Sequence, residues 1–153
     1  MEKSSTSEAT VFMTRLASVH VRTNWGRTMH TIVVVDDEPE LCSLVQDLLS
    51  FEGYEVIAAS HPDHVEAAIG HAEPDLFLID IMLPGRSGIE LAQQLRNRGY
   101  GDVPMIAMSA SRLMSHMASH SGVFTDAIDK PFEIDAFLAC IEQHIGHTVN
   151  CHR

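Results

Sequence analysis

The stretch that decides the fold of this chain of 153 residues is Ile32-Val33-Val34-Val35-Asp36-Asp37. Its first four residues are apolar and β-branched, which is typical of a strand buried on both faces of a parallel sheet. Pro39 and Gly53 then delimit a predicted helix, one near its first turn and the other just past its end. The apolar residues that recur at helical spacing between them are Leu41, Leu44, Val45, Leu48 and Leu49.

The alternation of strand-like and helix-like segments continues to residue 145. Further strands are predicted at residues 55–59, 76–79, 105–108 and 124–128. Helices are predicted at residues 62–71, 89–98, 113–120 and 134–145. Five such units indicate an α/β fold in which a doubly wound parallel sheet is covered by helices on both faces. Ligands of such folds bind outside the carboxyl ends of the strands.

Charge and hydropathy exclude some classes of partner. The net charge is -11, and residues 31–145 hold nineteen acidic residues against Arg86, Arg96, Arg98, Arg112 and Lys130. Such a body repels a phosphate backbone, so direct nucleic-acid binding is disfavoured. No apolar run approaches the roughly 20 residues that cross a bilayer, and no secretion signal is recognisable. We therefore expect a cytoplasmic protein without membrane insertion.

A single domain is predicted at residues 30–147. Residues 1–29 open with a Ser/Thr-rich run and lack a sustained apolar period, so they predict a flexible extension, and residues 148–153 form a tail. A weakly amphipathic basic piece at residues 11–21 is alternatively a targeting or docking segment. The cysteines are odd in number and far apart, which argues against a disulfide framework or a zinc site. They are Cys42, Cys140 and Cys151.

Polar side chains stand at the predicted carboxyl ends of four strands. Asp36 and Asp37 follow the first strand, Asp80 the third and Ser109 the fourth, and Lys130 follows the fifth. Carboxylates gathered at one edge repel one another unless a cation is bound, and Mg²⁺ is the hard divalent ion that prefers such oxygen ligands. One carboxylate could then act as a nucleophile toward a phosphoryl group. A lysine and a hydroxyl would stabilise the charge on that group.

Two sets of residues have simpler, purely structural interpretations. Asp36 and Asp37 could serve only as a helix cap and as charges in the first helical turn. The ten histidines include His116 and His120, which are four residues apart on a weak helix and could share a metal. The sequence places no further ligand near them, so we interpret them as solvated surface residues.

Four segments resemble the landmarks of response-regulator receiver domains. VVVDDEP at residues 33–39 is similar to the opening acidic motif of that family, and DIMLPGRSG at residues 80–88 is similar to its phosphoacceptor segment. MSA at residues 108–110 resembles the hydroxyl-alanine motif, and KPF at residues 130–132 the Lys-Pro-Phe motif. The resemblance covers roughly residues 29–147. It implies a flavodoxin-like (βα)5 fold with strand order 2-1-3-4-5.

The resemblance also implies a role for each polar residue at the strand ends. Asp80 would be the phosphoacceptor, assisted by Ser109 and Lys130. The ligands of Mg²⁺ (or Mn²⁺) would be Asp36, Asp37, Asp80 and the backbone carbonyl of Met82. The bond between Lys130 and Pro131 is a candidate for the cis form that the family has there.

One position departs from the family pattern. Ala127 stands three residues before Lys130, where the family often has a Tyr or Phe that rotates as a switch. The signal would then leave through the backbone of the fourth βα loop, or a nearby ring such as Phe124 would substitute. Met82 offers no group that orients an attacking water, which indicates slow hydrolysis of the phosphoryl group.

The resemblance implies a stand-alone response regulator rather than a true enzyme. Its partners would be a sensor histidine kinase or a histidine phosphotransfer protein, together with a downstream target protein, and it would be a monomer or a phosphorylation-linked dimer. The expected contact surface comprises the fourth helix, fifth strand and fifth helix, around Leu113, Met114, Met117, Phe124 and Ala127. A degenerate receiver that acts as an interaction module, and an aspartyl phosphatase, are alternatives.

Overall fold

The computed structural model describes the backbone of residues 29–149 and the side chains of residues 29–145. The predicted extension, its 11–21 segment, Cys151 and the tail beyond residue 149 lie outside the described residues. Strands and helices alternate along the described part. They are β1 Thr31–Val35, α1 Pro39–Phe51, β2 Glu55–Ala59, α2 Val65–Ile69, β3 Leu76–Asp80, α3 Gly88–Asn97, β4 Met105–Ser109, α4 Arg112–His120, β5 Asp126–Asp129 and α5 Ile134–Val149.

The strands form one parallel sheet in the order β2-β1-β3-β4-β5. In its register Val34 of β1 lies between Ala58 of β2 and Leu78 of β3. The chain order therefore reverses beside β1, and its carboxyl end opens into the crevice where such sheets bind ligands. The predicted fold class and strand order are confirmed.

Two apolar layers cover the sheet, one on each face. Alternate residues of β1 point into opposite layers, because successive side chains of a strand face opposite sides. Val33 and Val35 belong to the first layer, which also contains side chains of α2, α3 and α4. Ile32 and Val34 pack in the second layer, against α1 and α5. Every residue of β1 is buried, as the apolar run at residues 32–35 predicts.

Three elements differ from prediction by more than one residue at a boundary. The predicted helix at residues 62–71 is a 3-10 turn, Pro62–His64, followed by α2, which ends before Gly70 because this residue adopts a φ of 55°. β5 begins at Asp126 rather than at Phe124, whose ring is buried in the first layer. α5 continues four residues past its predicted end. No helix among the described residues is long and apolar enough to cross a membrane.

One arginine joins two loops at the sheet edge opposite the strand carboxyl ends. The guanidinium of Arg96 donates to the backbone carbonyls of Val123 at 2.7 Å, Gly101 at 2.6 Å and Val103 at 3.2 Å. Gly101 and Val103 precede β4, whereas Val123 precedes β5. Arg96 therefore satisfies carbonyls that neither strand pairs, and it holds the two loops together.

Candidate functional site

Three carboxylates meet at the carboxyl edge of the sheet. Asp36 follows β1, Asp37 is the next residue, and Asp80 is the last residue of β3. One oxygen of each lies within 4.8 Å of an oxygen of the other two, and Asp36 and Asp80 are buried whereas Asp37 is exposed. The sheet thus brings together acids that are separated by more than forty positions in the chain.

Lys130 reaches the buried pair from the end of β5. Its ammonium Nζ lies 2.7 Å from Asp36 Oδ2 and 3.0 Å from Asp80 Oδ2. The Lys130 side chain is 10% exposed, and those of Asp36 and Asp80 are 1% and 5% exposed. Buried charges persist only when they are paired. The peptide bond from Lys130 to Pro131 is cis, as predicted.

The electrostatics of the site favour a further cation. Burial raises the pKa of Asp80, an effect that the hydrogen bonds from Lys130 and from the Met82 backbone N–H only partly offset. Burial alone would lower the pKa of Lys130, but its hydrogen bonds to Asp36 and Asp80 outweigh burial and raise it. Lys130 is therefore charged. When ionised, three carboxylates against one ammonium leave an excess negative charge that a divalent ion would neutralise.

Backbone amides hold each buried carboxylate in place. Asp36 Oδ1 accepts from the Glu38 N–H at 2.9 Å, and Asp80 Oδ1 accepts from the Met82 N–H at 3.0 Å. In both residues the other oxygen is the one that faces Lys130. The residue at the N-cap of α1 is Glu38, whose side chain makes no cap hydrogen bond. A helix-capping role alone therefore does not explain why Asp36 pairs with Lys130.

Close packing of the first residue of α3 supports the position of Asp80. The Gly88 N–H donates to the Ile81 carbonyl at 2.9 Å. A Cβ on Gly88 would lie 2.2 Å from the Asp80 backbone oxygen, closer than any real contact. The sequence gives no sign of this contact, because it depends on the distance between two elements.

The hydroxyl of Ser109 does not join the carboxylates in this structure. Its Oγ accepts from the Ser111 N–H at 3.1 Å and donates to the Ser111 carbonyl at 3.2 Å. The link from Ser109 to Lys130 runs through the backbone, where the Lys130 N–H donates to the Ser109 carbonyl at 2.7 Å. Ser109 is thus at the predicted strand end, with its side chain held by the loop that leads to α4.

The predicted contact surface on α4, β5 and α5 is only partly exposed. Leu113 and Met117 of α4 are 68% and 50% exposed. Met114 and Ala127 are half-buried and pack against the first layer. Phe124 is 7% exposed, so the prediction that its ring contributes to this surface is wrong. Its apolar ring is buried at the turn before β5, where it covers the end of the first layer.

A short hydrogen bond connects α4 to the end of β5. Ser115 of α4 donates to Asp129 Oδ1 at 2.5 Å, and Asp129 immediately precedes Lys130. Elsewhere on α4, His116 and His120 are both exposed, and their rings are tilted against each other by 40° with centroids 4.1 Å apart. The described groups of three or more possible metal ligands do not include these histidines.

Residues 32–142 match the response regulator receiver domain family. The phosphate regulon transcriptional regulatory protein PhoB of Pseudomonas aeruginosa is 42% identical over 120 residues, which are 77% of this chain and 52% of PhoB. The chain spans about half the length of the curated relatives it matches.

Two solved structures are similar over most of the chain. A CheY-like response regulator receiver domain protein from Methanospirillum hungatei has a TM-score of 0.73 at 26% identity, over 80% of this chain and 98% of that one. The response regulator TrrA from Thermotoga maritima, in complex with Mg²⁺ and BeF, has a TM-score of 0.67 at 30% identity, over 76% and 99%. With this sequence match and this sheet order, the chain belongs to the response regulator receiver domain family of two-component systems.

Proposed function

We propose that this receiver domain accepts a phosphoryl group on Asp80 from a sensor histidine kinase or a histidine phosphotransfer protein, in a reaction that depends on Mg²⁺ (or Mn²⁺). The observation that carries the proposal is the buried carboxylate of Asp80, with Lys130 Nζ at 3.0 Å and two further carboxylates beside it. A carboxylate in this setting is oriented, has an ammonium beside it and has neighbouring carboxylates that could hold the metal ion that phosphoryl transfer needs. The reaction would take place in the cytoplasm.

The donor set fits a hard divalent ion. Asp36, Asp37 and Asp80 offer oxygens within 4.8 Å of one another, and the Met82 carbonyl would complete the protein ligands. Bound there, Mg²⁺ would supply positive charge to the phosphoryl oxygens and align the donor. The structure of TrrA that resembles this chain is of a complex with Mg²⁺ and BeF.

In the transfer itself, an oxygen of Asp80 attacks the phosphorus of phosphohistidine. An O–P bond forms, the P–N bond breaks, and the imidazole of the donor leaves with its electron pair and takes up a proton. Lys130 is already 3.0 Å from Asp80 Oδ2, so a short movement brings its ammonium to a phosphoryl oxygen while the contact with Asp36 remains. Ser109 would first release the backbone of Ser111 and then donate its hydroxyl to another phosphoryl oxygen.

The output would be protein–protein contact through α4, β5 and α5, by a monomer or a phosphorylation-linked dimer. The hydrogen bond from Ser115 to Asp129 supports this route, because it joins α4 to the residue before Lys130. A movement of Lys130 could therefore reach α4 through Asp129 and Ser115 without an aromatic ring at position 127. The degenerate receiver and the aspartyl phosphatase stay as alternatives. A phosphatase would release the phosphoryl group instead of retaining it on Asp80.

The test is to incubate the full chain with Mg²⁺ and a small phosphodonor such as acetyl phosphate, and to measure the intact mass. We expect one acid-stable, hydroxylamine-labile phosphoryl adduct in the parent and none in Asp80→Asn. Asp102→Asn, which alters an exposed acid remote from the site, is the matched control and should label like the parent. An unlabelled parent, or continued labelling of Asp80→Asn, would overturn the proposal.

A further inference from the structure

A second group of potential metal ligands lies between β5 and α5, and the phosphoryl-transfer proposal does not use it. Asp126 is the first residue of β5, and Cys140 and His144 are four residues apart on α5. One ligand atom of each lies within 4.8 Å of the others. Because Asp126 begins β5 and Lys130 follows its end, this cluster is at the opposite edge of the sheet from Asp80.

The distances in the cluster approach those of a tetrahedral zinc site. Asp126 Oδ2 lies 3.6 Å from Cys140 Sγ and 3.0 Å from His144 Nε2. Ordinary Zn–O, Zn–N and Zn–S bond lengths in a tetrahedron separate oxygen from sulfur by about 3.6 Å and oxygen from nitrogen by about 3.4 Å. The Cys–Asp distance thus already fits, and the His–Asp pair would open by a few tenths of an ångström. Thiolate, imidazole and carboxylate are the three ligand types that zinc uses.

The surroundings hold the three groups in place and leave a route for an ion. Asp126 Oδ1 accepts from the Ala127 N–H at 2.8 Å, which fixes the carboxylate and leaves Oδ2 directed at α5. Cys140 and His144 share one face of α5, because residues four apart on a helix are neighbours. The side chains of His144 and Asp126 are 14% and 45% exposed, so the cluster can be reached from solvent.

We propose that Asp126, Cys140 and His144 bind a divalent transition-metal ion of the zinc class, with a fourth position open to water or to a further ligand. Binding would release the thiol proton of Cys140 to solvent. The proton that His144 Nε2 donates to Asp126 would move to Nδ1 or to solvent, so that the Nε2 electron pair can bind the ion. The ion would fasten the start of β5 to α5.

Co²⁺ is the probe that tests this site, because its thiolate charge-transfer absorption reports a cysteine ligand. The full chain, reduced and in excess Mg²⁺ to occupy the acidic edge of the sheet, is titrated with Co²⁺ and then with Zn²⁺. We expect one equivalent of Co²⁺ to give the charge-transfer band and Zn²⁺ to abolish it. Cys140→Ser should lose the band, and Asp126→Asn and His144→Gln should weaken binding by about tenfold or more.

Two controls separate this site from the rest of the chain. Cys42→Ser changes the other described free cysteine and should keep the band, and Asp80→Asn should keep it even though that variant loses phosphorylation. Zn²⁺ should raise the melting temperature of the parent by more than that of His144→Gln. Absence of the band in the parent, persistence of the band in Cys140→Ser, or an equal Zn²⁺ shift in both proteins would overturn the proposal.

Discussion

Replacing Gly88 by alanine should destabilise the domain, because α3 begins against the backbone of β3. The new Cβ would lie 2.2 Å from the Asp80 oxygen, 2.8 Å from the Ile81 Cα and 2.9 Å from the Asp80 carbonyl carbon. All three are backbone atoms, so they cannot rotate away. An ordinary contact starts at 3.4 Å, and restoring it requires the start of α3 to retreat by about 1 Å.

The free-energy change follows from that displacement. Overpacking of this kind costs about 1–3 kcal/mol, and the lost hydrogen bond from the Gly88 N–H to the Ile81 carbonyl costs about 1 kcal/mol. The lower entropy of the unfolded alanine variant returns about 0.5 kcal/mol. We expect a net loss of about 2.5 kcal/mol in the free energy of unfolding. With a typical dependence of the free energy of unfolding on urea concentration, this loss lowers the urea concentration at the midpoint of unfolding by about 1 M.

Urea titration followed by far-ultraviolet circular dichroism measures the change, with Gly101→Ala as the matched control. A Cβ on Gly101 meets the Arg96 oxygen at 3.7 Å, which is ordinary contact, so that variant should stay within about 0.5 kcal/mol of the parent. Gly88→Ala should also phosphorylate more slowly, since Asp80 moves with its backbone. Equal midpoints for the two variants would refute the packing argument.

Three further outcomes follow from the contacts. Arg96→Met removes the donor that three loop carbonyls share, and it should lower the free energy of unfolding in urea by about 2 kcal/mol. Arg98→Met is the control and should change that free energy little, because the Arg98 side chain is 58% exposed. Lys130→Met leaves two buried carboxylates without their cation and should lower the free energy of unfolding by about 3 kcal/mol, part of which Mg²⁺ should restore. An unchanged free energy of unfolding would show that this pairing does not stabilise the fold. Burial, and to a lesser extent the nearby charge of Asp36, raises the pKa of the Cys42 thiol. At a pH below that pKa, iodoacetamide should therefore alkylate Cys42 more slowly in the folded protein than in the unfolded protein, as measured by peptide mapping.

Local patterns predicted most of the fold, because the central strands β1 and β3 contain short, nearly continuous apolar runs. β1 and β3 are buried on both faces, and no alternative period competes with theirs. β5 was harder to bound. Phe124 extends its apolar pattern, but the ring is used to close the first layer and the ladder begins only at Asp126. The sequence shows that a residue is hydrophobic, but it does not show against which element that residue packs.

The candidate site was predictable to the extent that it depends on strand ends. Parallel strands place Asp36, Asp80 and Lys130 at one edge whatever the details of packing. The orientation of Ser109 was not predictable, because it depends on which partner its hydroxyl finds in the next loop. The spacing of the cysteines in the sequence did not reveal the cluster around Asp126 for a similar reason. Only Cys140 and His144 are neighbours on one helix, and Asp126 reaches them from the sheet.

The two apolar layers have a consequence for how core mutations combine. Val35 and Ile79 face each other across β1 and β3 within the first layer, so a double-mutant cycle between them should show coupling of about 0.5 kcal/mol or more. Leu78 is adjacent to Ile79 in the chain but packs in the second layer, and truncations of these two should be closer to additive. A substitution in this core is transmitted first to the next strand on its own face and only weakly to the next residue along the chain.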